Sequence, residues 1–268
     1  CQNLEKISIK ETPSLFLGQY SFARSQKLKT VEIESQEIEI GEKSFSDCVL
    51  LETVLVSKIN NIILQSYAFK NCSHLKNISF CYELEQHNTN TNSTFDVSKI
   101  KSIKIDQYCF LNCIALVSVD FSDIENIDLS SKIFEGCINL DSVKINNPKK
   151  IKIPKECFYN LPKLKSLHFE AEDISIDIDF INNCPLLTNL TIIEQKDLIL
   201  HSDIFKNCPT ITSLILNTSS KLQLCSECFK YLTKLQYIKT SFKNIAIHDK
   251  CFDYCQSLNF IKFQSKDD

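Results

Sequence analysis

The sequence is short of the residues that punctuate chains: 268 residues contain 3 glycines and 6 prolines. A conventional β-sandwich turns every ~8–12 residues and draws on both for its turns, so that class is disfavoured. Long apolar runs are also missing. None reaches the ~18 residues that span a bilayer as a helix. Neither sign of charge dominates, with 30 Lys and Arg against 33 Asp and Glu and a net charge of −3. A basic stripe for nucleic acid is therefore not expected. There is no glycine-rich phosphate loop and no G-x-S-x-G, so no motif points to an enzyme. No leader precedes the first repeat and no methionine opens the chain. A start at Cys1, inside a repeat, reads as a trimmed piece of a longer protein.

Apolar residues make up 43% of the chain, enough for a substantial core and against global disorder. There are 14 cysteines, a high number but below the ~8–10% that marks a small disulfide scaffold. Their meaning depends on where they sit.

A repeat emerges when phenylalanines followed three residues later by cysteine and six later by leucine are aligned. "FKNCSHLKNISF" begins at Phe69, "FLNCIALVSVDF" at Phe110, "FEGCINLDSVKI" at Phe134 and "FDYCQSLNFIKF" at Phe252. The anchors are Phe22, Phe45, Phe69, Phe110, Phe134, Phe158, Ile181, Phe205, Phe229 and Phe252, spaced 23 or 24 apart except for one gap of 41. Cys1 and Leu4 fit the tail of a further unit. After each anchor, apolar residues alternate, as at Leu75, Ile78 and Phe80. Before it they alternate again, as at Ile103 and Ile105. Both stretches read as short strands with one buried face.

The polar segment before the anchor often opens with a capping residue, such as Ser66, Ser131, Ser202, Ser226 or Asp249. Two residues after the anchor, Asp47, Asn71, Asn112, Gly136, Asn160, Asn183 and Asn207 tolerate the left-handed conformation that ends a helical turn. Each unit is thus expected to run strand, turn, strand, one or two helical turns. The architecture expected is a β-rich α/β solenoid, a right-handed superhelix of ten to eleven rungs with a parallel sheet. It forms one domain over 1–268, with an irregular insertion at about 81–98. One unit cannot bury its own apolar face, but stacked units can.

"YAFKNCSHLKNISF" and "IPKECFYNLPKLKSLHF" resemble the unit of the BspA-like leucine-rich-repeat family, known from bacterial and protozoan surface antigens. The resemblance covers nearly the whole chain outside 81–98, although only Pro154 matches the family's turn proline. It implies a surface-exposed adhesion or recognition role.

The insertion reads "CYELEQHNTNTNSTFDVS", polar and without the repeat's apolar positions. Such a loop either contacts a partner or is a tolerated surface excursion. Twelve cysteines fall in two columns: Cys1, Cys48, Cys72, Cys113, Cys137, Cys184, Cys208 and Cys255 three after the anchor, and Cys109, Cys157, Cys228 and Cys251 one before it. At fixed repeat positions cysteine acts as a small core residue. Cys81 and Cys225 lie outside both columns. Four residues before the anchor, Asp177, His201, Cys225 and His248 fall on successive rungs. A metal shared by His201, Cys225 and His248 is a weak reading beside that of an ordinary polar turn, and no cofactor is called for.

The outward positions of the first strand are polar on the early rungs, at Thr30, Glu32, Thr53, Asn77 and Ser79. His168, on the same face, has no nucleophile beside it in the pattern. On the last rungs Ile193, Ile215, Tyr237 and Phe260 point outward beside Lys239 and Lys262. Apolar and aromatic residues on adjacent strands suggest a contact patch. Ile193, Ile215, Tyr237, Lys239 and Phe260 are therefore the candidate partner-binding residues. Sequons occur at Asn71, Asn77, Asn92, Asn189 and Asn217, and Asn92, in the insertion, is the best glycosylation candidate. The function expected is a non-catalytic binding module for a protein, cell-surface or matrix ligand, at the cell surface or secreted. The alternative is an intracellular scaffold of the same fold. Unsealed ends leave end-to-end association open.

Overall fold

A computed structural model describes residues 1–81, 100–146, 148–202, 204–205 and 207–265. Most of the insertion, and Asn92 with it, lies outside the described residues.

The first two rungs are long strands, Lys6–Leu17 and Thr30–Ile40, paired in parallel. The second of them forks. Its first half pairs with Thr53–Ser57 and its second half with Asn61–Leu64. From this fork two parallel ladders run along the body. The first face carries the strand that follows each anchor, ending with Ser166–Ala171, Asn189–Glu194, Ser213–Thr218, Tyr237–Phe242 and Phe260–Ser265 in continuous register. The second face carries the strand that precedes each anchor. It runs unbroken from Asn61–Leu64 to Ile174–Ile176, and a separate three-stranded sheet continues it from Leu198–Leu200 to Asn244–Ile247. On both faces the period-2 pattern decides orientation. Leu167 and Phe169 point inward and are buried, while Ser166, His168 and Glu170 between them are half-exposed.

The anchors form the spine of the core. Phe45, Phe69, Phe110, Phe134 and Phe158 are fully buried. From Phe22 to Phe158 their rings stack rung upon rung, with centroids 5.4–6.3 Å apart. Each buried ring contributes about 1.5–3 kcal/mol by burial. Offset stacking adds about 0.5–1.5 kcal/mol per pair.

The expected helical turns are absent: among the described residues there is no helix. Around each anchor the chain instead makes consecutive turns closed by i→i+3 bonds, as in Ser21 N to Gly18 O, Ala23 N to Tyr20 O and Ser25 N to Phe22 O. The intervening amides point along the solenoid axis. Tyr20, Phe22 and Arg24 donate to the carbonyls of Glu42, Ser44 and Ser46 on the next rung. A helix would keep those donors for itself, whereas the stacked rungs use them to join neighbours. The residues two before and two after the anchor hold positive φ, as at Lys43 and Asp47, Tyr67 and Asn71, and Tyr108 and Asn112. Two left-handed residues four apart prevent a helical turn from forming. Gly136 sits at one such position with φ +77°, where a Cβ would come within 2.2 Å of Asn112 Oδ1.

The same turns explain the cysteine column after the anchor. Cys48, Cys72, Cys113 and Cys137 direct their thiols at the carbonyls of Phe22, Phe45, Phe69 and Phe110 on the preceding rung, at 3.1–3.2 Å. Cys184 and Cys255 do the same to Phe158 and Phe229. The position accepts a small apolar group with one weak donor, which is what a thiol supplies. Burial pushes the Cys137 thiol up to about 12 and that of Cys48 to about 11. These thiols stay protonated and unreactive at neutral pH.

Candidate binding face

The first-face register sets the outward side chains in columns. One column runs Ser166, Asn189, Ser213, Tyr237, Phe260; the next runs His168, Thr191, Ile215, Lys239, Lys262; the third runs Glu170, Ile193, Asn217, Ser241, Gln264. Neighbours within a column are about 4.8 Å apart. The five candidate residues therefore share one surface. Ile193, Ile215 and Tyr237 step diagonally across three adjacent strands. Lys239 lies beside Ile215, and Phe260 lies beside Tyr237.

Tyr237 and Phe260 are brought into direct contact, their rings 5.5 Å apart and 4° from parallel. Phe260 is 50% exposed, while Ile193, Ile215, Tyr237 and Lys239 are half-buried. The pair thus offers a continuous aromatic surface beside the outward Ile193 and Ile215.

Charge on this face also changes along the body. On earlier rungs lysines are neutralised by carboxylates one strand away: Lys6 by Glu32 at 2.7 Å, Lys76 by Glu52 at 3.2 Å and Lys144 by Asp120 at 3.9 Å. Among the described residues no ion pair reaches Lys239 or Lys262. The aromatic pair is therefore flanked by two ammonium groups without an ion-pair partner among the described residues, a feature that residue spacing alone did not reveal. His168 Nε2 lies 3.6 Å from Glu170 Oε2, and His168 occupies the register position expected of it.

The metal-capable column is stacked as expected. Cys225 N donates to Leu200 O and His248 N to Leu224 O, both at 2.9 Å, which sets His201, Cys225 and His248 on three rungs in phase. Yet among the described residues no three His, Cys, Asp or Glu side chains converge to hold a metal. Of the described sequons, Asn77 and Asn189 are exposed. Asn71 is tied into a side-chain ladder, donating to Asp47 at 2.7 Å and accepting from Asn112 at 2.9 Å.

Sequence reasoning missed Glu194. It occupies an inward column between Ala171 and Thr218 and is buried. Its Oε1 accepts the Ile174 amide at 3.2 Å, and its Oε2 has no partner. Desolvation, reinforced by Asp173 and Asp197, pushes its carboxyl up to about 7. An acid in a core column breaks the apolar alternation, and that break was the available signal.

Rungs of about 24 residues, two parallel ladders and a stacked aromatic spine define a leucine-rich-repeat solenoid. The chain belongs to the BspA-type leucine-rich-repeat family, whose model matches six copies over residues 1–106, 91–212 and 152–267. Among solved structures, a leucine-rich-repeat protein of T. pallidum is similar at 22% identity, covering 65% of this chain and 71% of that one, with a TM-score of 0.47. A leucine-rich cell surface protein of Faecalibacterium prausnitzii is 14% identical over 97% of this chain and 83% of its own, with a TM-score of 0.32. A leucine-rich-repeat protein of Bacteroides ovatus is 15% identical over 97% and 92%, also with a TM-score of 0.32. No curated protein matches the chain. No helix among the described residues is long and apolar enough to cross a membrane.

Proposed function

We propose that this chain is a surface-exposed recognition module that binds a protein or matrix ligand through the last rungs of its first face. The family supports the general role, since leucine-rich-repeat solenoids are protein-interaction scaffolds and no enzyme family is indicated. The observation that carries the location is the stacked Tyr237–Phe260 pair beside Lys239 and Lys262, which have no ion-pair partner among the described residues. Rigid aromatic surface is what binding hot spots favour. Lysines at its rim speed association with an acidic partner surface. Ile215 and Ile193 extend the apolar contact across the next two strands. The carbonyl-bonded thiols after the anchors do not distinguish surface from intracellular proteins, because their hydrogen bonds and burial protect them from oxidation in either setting.

The test is surface plasmon resonance of the chain against a panel of purified matrix glycoproteins, comparing it with the double variant Ile215→Ser, Tyr237→Ser. Binding is expected to fall at least ~100-fold in the variant, in line with the loss of two central contacts. It should also weaken as salt rises. Unchanged binding by a folded variant moves the site elsewhere. If the unaltered chain binds no member of the panel, the matrix-adhesion reading fails.

A further inference from the structure

The two cysteine columns differ in what their sulfurs face. After the anchor, six thiols point at carbonyls one rung back. Before it, Cys228 and Cys251 stand on adjacent rungs and point at each other, with Sγ atoms 3.2 Å apart. Both are buried, exposed by 1% and 2%. Their rungs are clamped around the pair by backbone bonds: Glu227 N to Asp249 O, Phe229 N to Cys251 O and Tyr231 N to Asp253 O, each 3.1 Å. Closing the remaining gap to a disulfide takes ~1 Å of side-chain movement and no change in rung spacing. A third sulfur, Cys225, lies on the same turn as Cys228, whose amide donates to the Cys225 carbonyl at 3.2 Å. Cys225 is half-exposed, so solvent reaches it before the buried pair.

We propose that Cys225, Cys228 and Cys251 form a thiol–disulfide exchange site that takes a small-molecule disulfide as oxidant and ends as a Cys228–Cys251 staple between the last two rungs. The sulfur of Cys225 attacks a disulfide R–S–S–R and displaces one R–S⁻. The sulfur of Cys228 attacks Cys225 and displaces the second. The sulfur of Cys251 then displaces Cys225 from Cys228. Cys225 returns as a thiol, and the two protons lost by Cys228 and Cys251 leave with two R–SH. Two electrons pass to the small disulfide, and one S–S bond is broken for each one made.

The stapled rungs are those that present Tyr237 and Phe260. Oxidation therefore fixes the aromatic pair in one arrangement. That consequence for binding rests on the proposed binding face, whereas the exchange chemistry does not.

The experiment uses the whole reduced chain and oxidised glutathione as the probe, followed by alkylation in denaturant and peptide mapping. Two of the fourteen thiols are expected to be lost, with a single cross-linked peptide pair joining Cys228 to Cys251. Accumulation of a Cys225–Cys228 disulfide, or of a stable glutathione adduct on Cys225, overturns the proposal. Cys225→Ser should reach the same cross-link at least ~10-fold more slowly, and an unchanged rate removes Cys225 from the route. Hydrogen exchange of the Phe260–Ser265 amides should slow on oxidation in the unaltered chain and stay unchanged in Cys251→Ser. If the cross-link forms while binding to the matrix panel is absent, the binding face fails and the exchange site stands.

Discussion

From Phe22 to Phe158 the core columns and the second face keep step: rings stack, thiols meet carbonyls, and the second-face strands pair without interruption, the first face alone breaking between Asn77–Cys81 and Ser118–Asp120. Around Ile181 the ring stack and the second-face ladder falter together. Isoleucine replaces the anchor ring, and Phe169 and Phe180 fill the space at tilted and edge-on angles of 33° and 63°. The second-face ladder breaks between Ile174–Ile176 and Leu198–Leu200. At the break the amide of Ile174 is taken by the Glu194 carboxylate, whereas the Ile151 amide one rung earlier donates to Asp173 O. Stacking then resumes from Phe205 through Phe229 to Phe252. The ring stack and the second-face ladder share one 24-residue frame, so a single irregular rung disturbs both, while the first face passes through it in register. Each rung touches only its neighbours, so the disturbance stays local.

The most forceful way to test this contrast is to remove a ring from the regular stack. Phe110→Ala deletes a fully buried side chain between two stacked partners and should cost about 3–5 kcal/mol. Ile181→Ala, at the joint, should cost less, about 2 kcal/mol, because no ring stack is lost there. Urea unfolding of both variants checks the ranking, and equal costs would erase the distinction between the regions. A smaller effect, about 1 kcal/mol, is expected for Gly136→Ala. The added methyl meets Asn112 Oδ1 and the residue is held at positive φ. Adding Asn112→Ala should recover the steric part and leave the backbone part. If the second change recovers nothing, the turn is strained by conformation alone.

The regular stack was legible in the sequence because its anchors, cysteines and alternating strands recur at fixed spacing. The turns were half legible. Asn71, Asn112 and Asn160 announce a left-handed residue after the anchor. The matching position before it is held by Tyr67, Tyr108 and Glu156, which carry no such preference. With only one of the two breaks visible, the segment read as a short helix. The joint was hidden for another reason. Ile181 is an acceptable anchor by hydropathy, so the one visible sign was the acid Glu194 at an inward position of its own strand. The candidate face was read from parity alone, but the Tyr237–Phe260 stack, the lysines beside it and the Cys228–Cys251 contact required two rungs to be placed side by side.

Glu194 offers the finest test of the joint, through pH. In the unfolded chain its carboxyl titrates near ~4.3; in the folded chain desolvation raises it to about 7, with Asp173 and Asp197 adding to the shift and Lys196 opposing it. The folded state therefore holds this proton more tightly. Its contribution to stability is fully present below the unfolded value, declines as pH rises between the two, and is gone above about 7. Lys196 and solvent at the joint screen the charge, so the loss should be on the order of 1 kcal/mol. Glu194→Gln keeps an oxygen for the Ile174 amide and removes the titration. Urea midpoints from pH 5 to pH 8 should slope downward for the unaltered chain relative to Glu194→Gln, with the variant the more stable of the two at pH 8. Phe110→Ala should leave that slope in place while lowering every midpoint, since it acts on the regular stack and not on the joint. Parallel profiles for the unaltered chain and Glu194→Gln would mean that the carboxylate finds water or a partner at the joint, and that the break in the second-face ladder has some other cause.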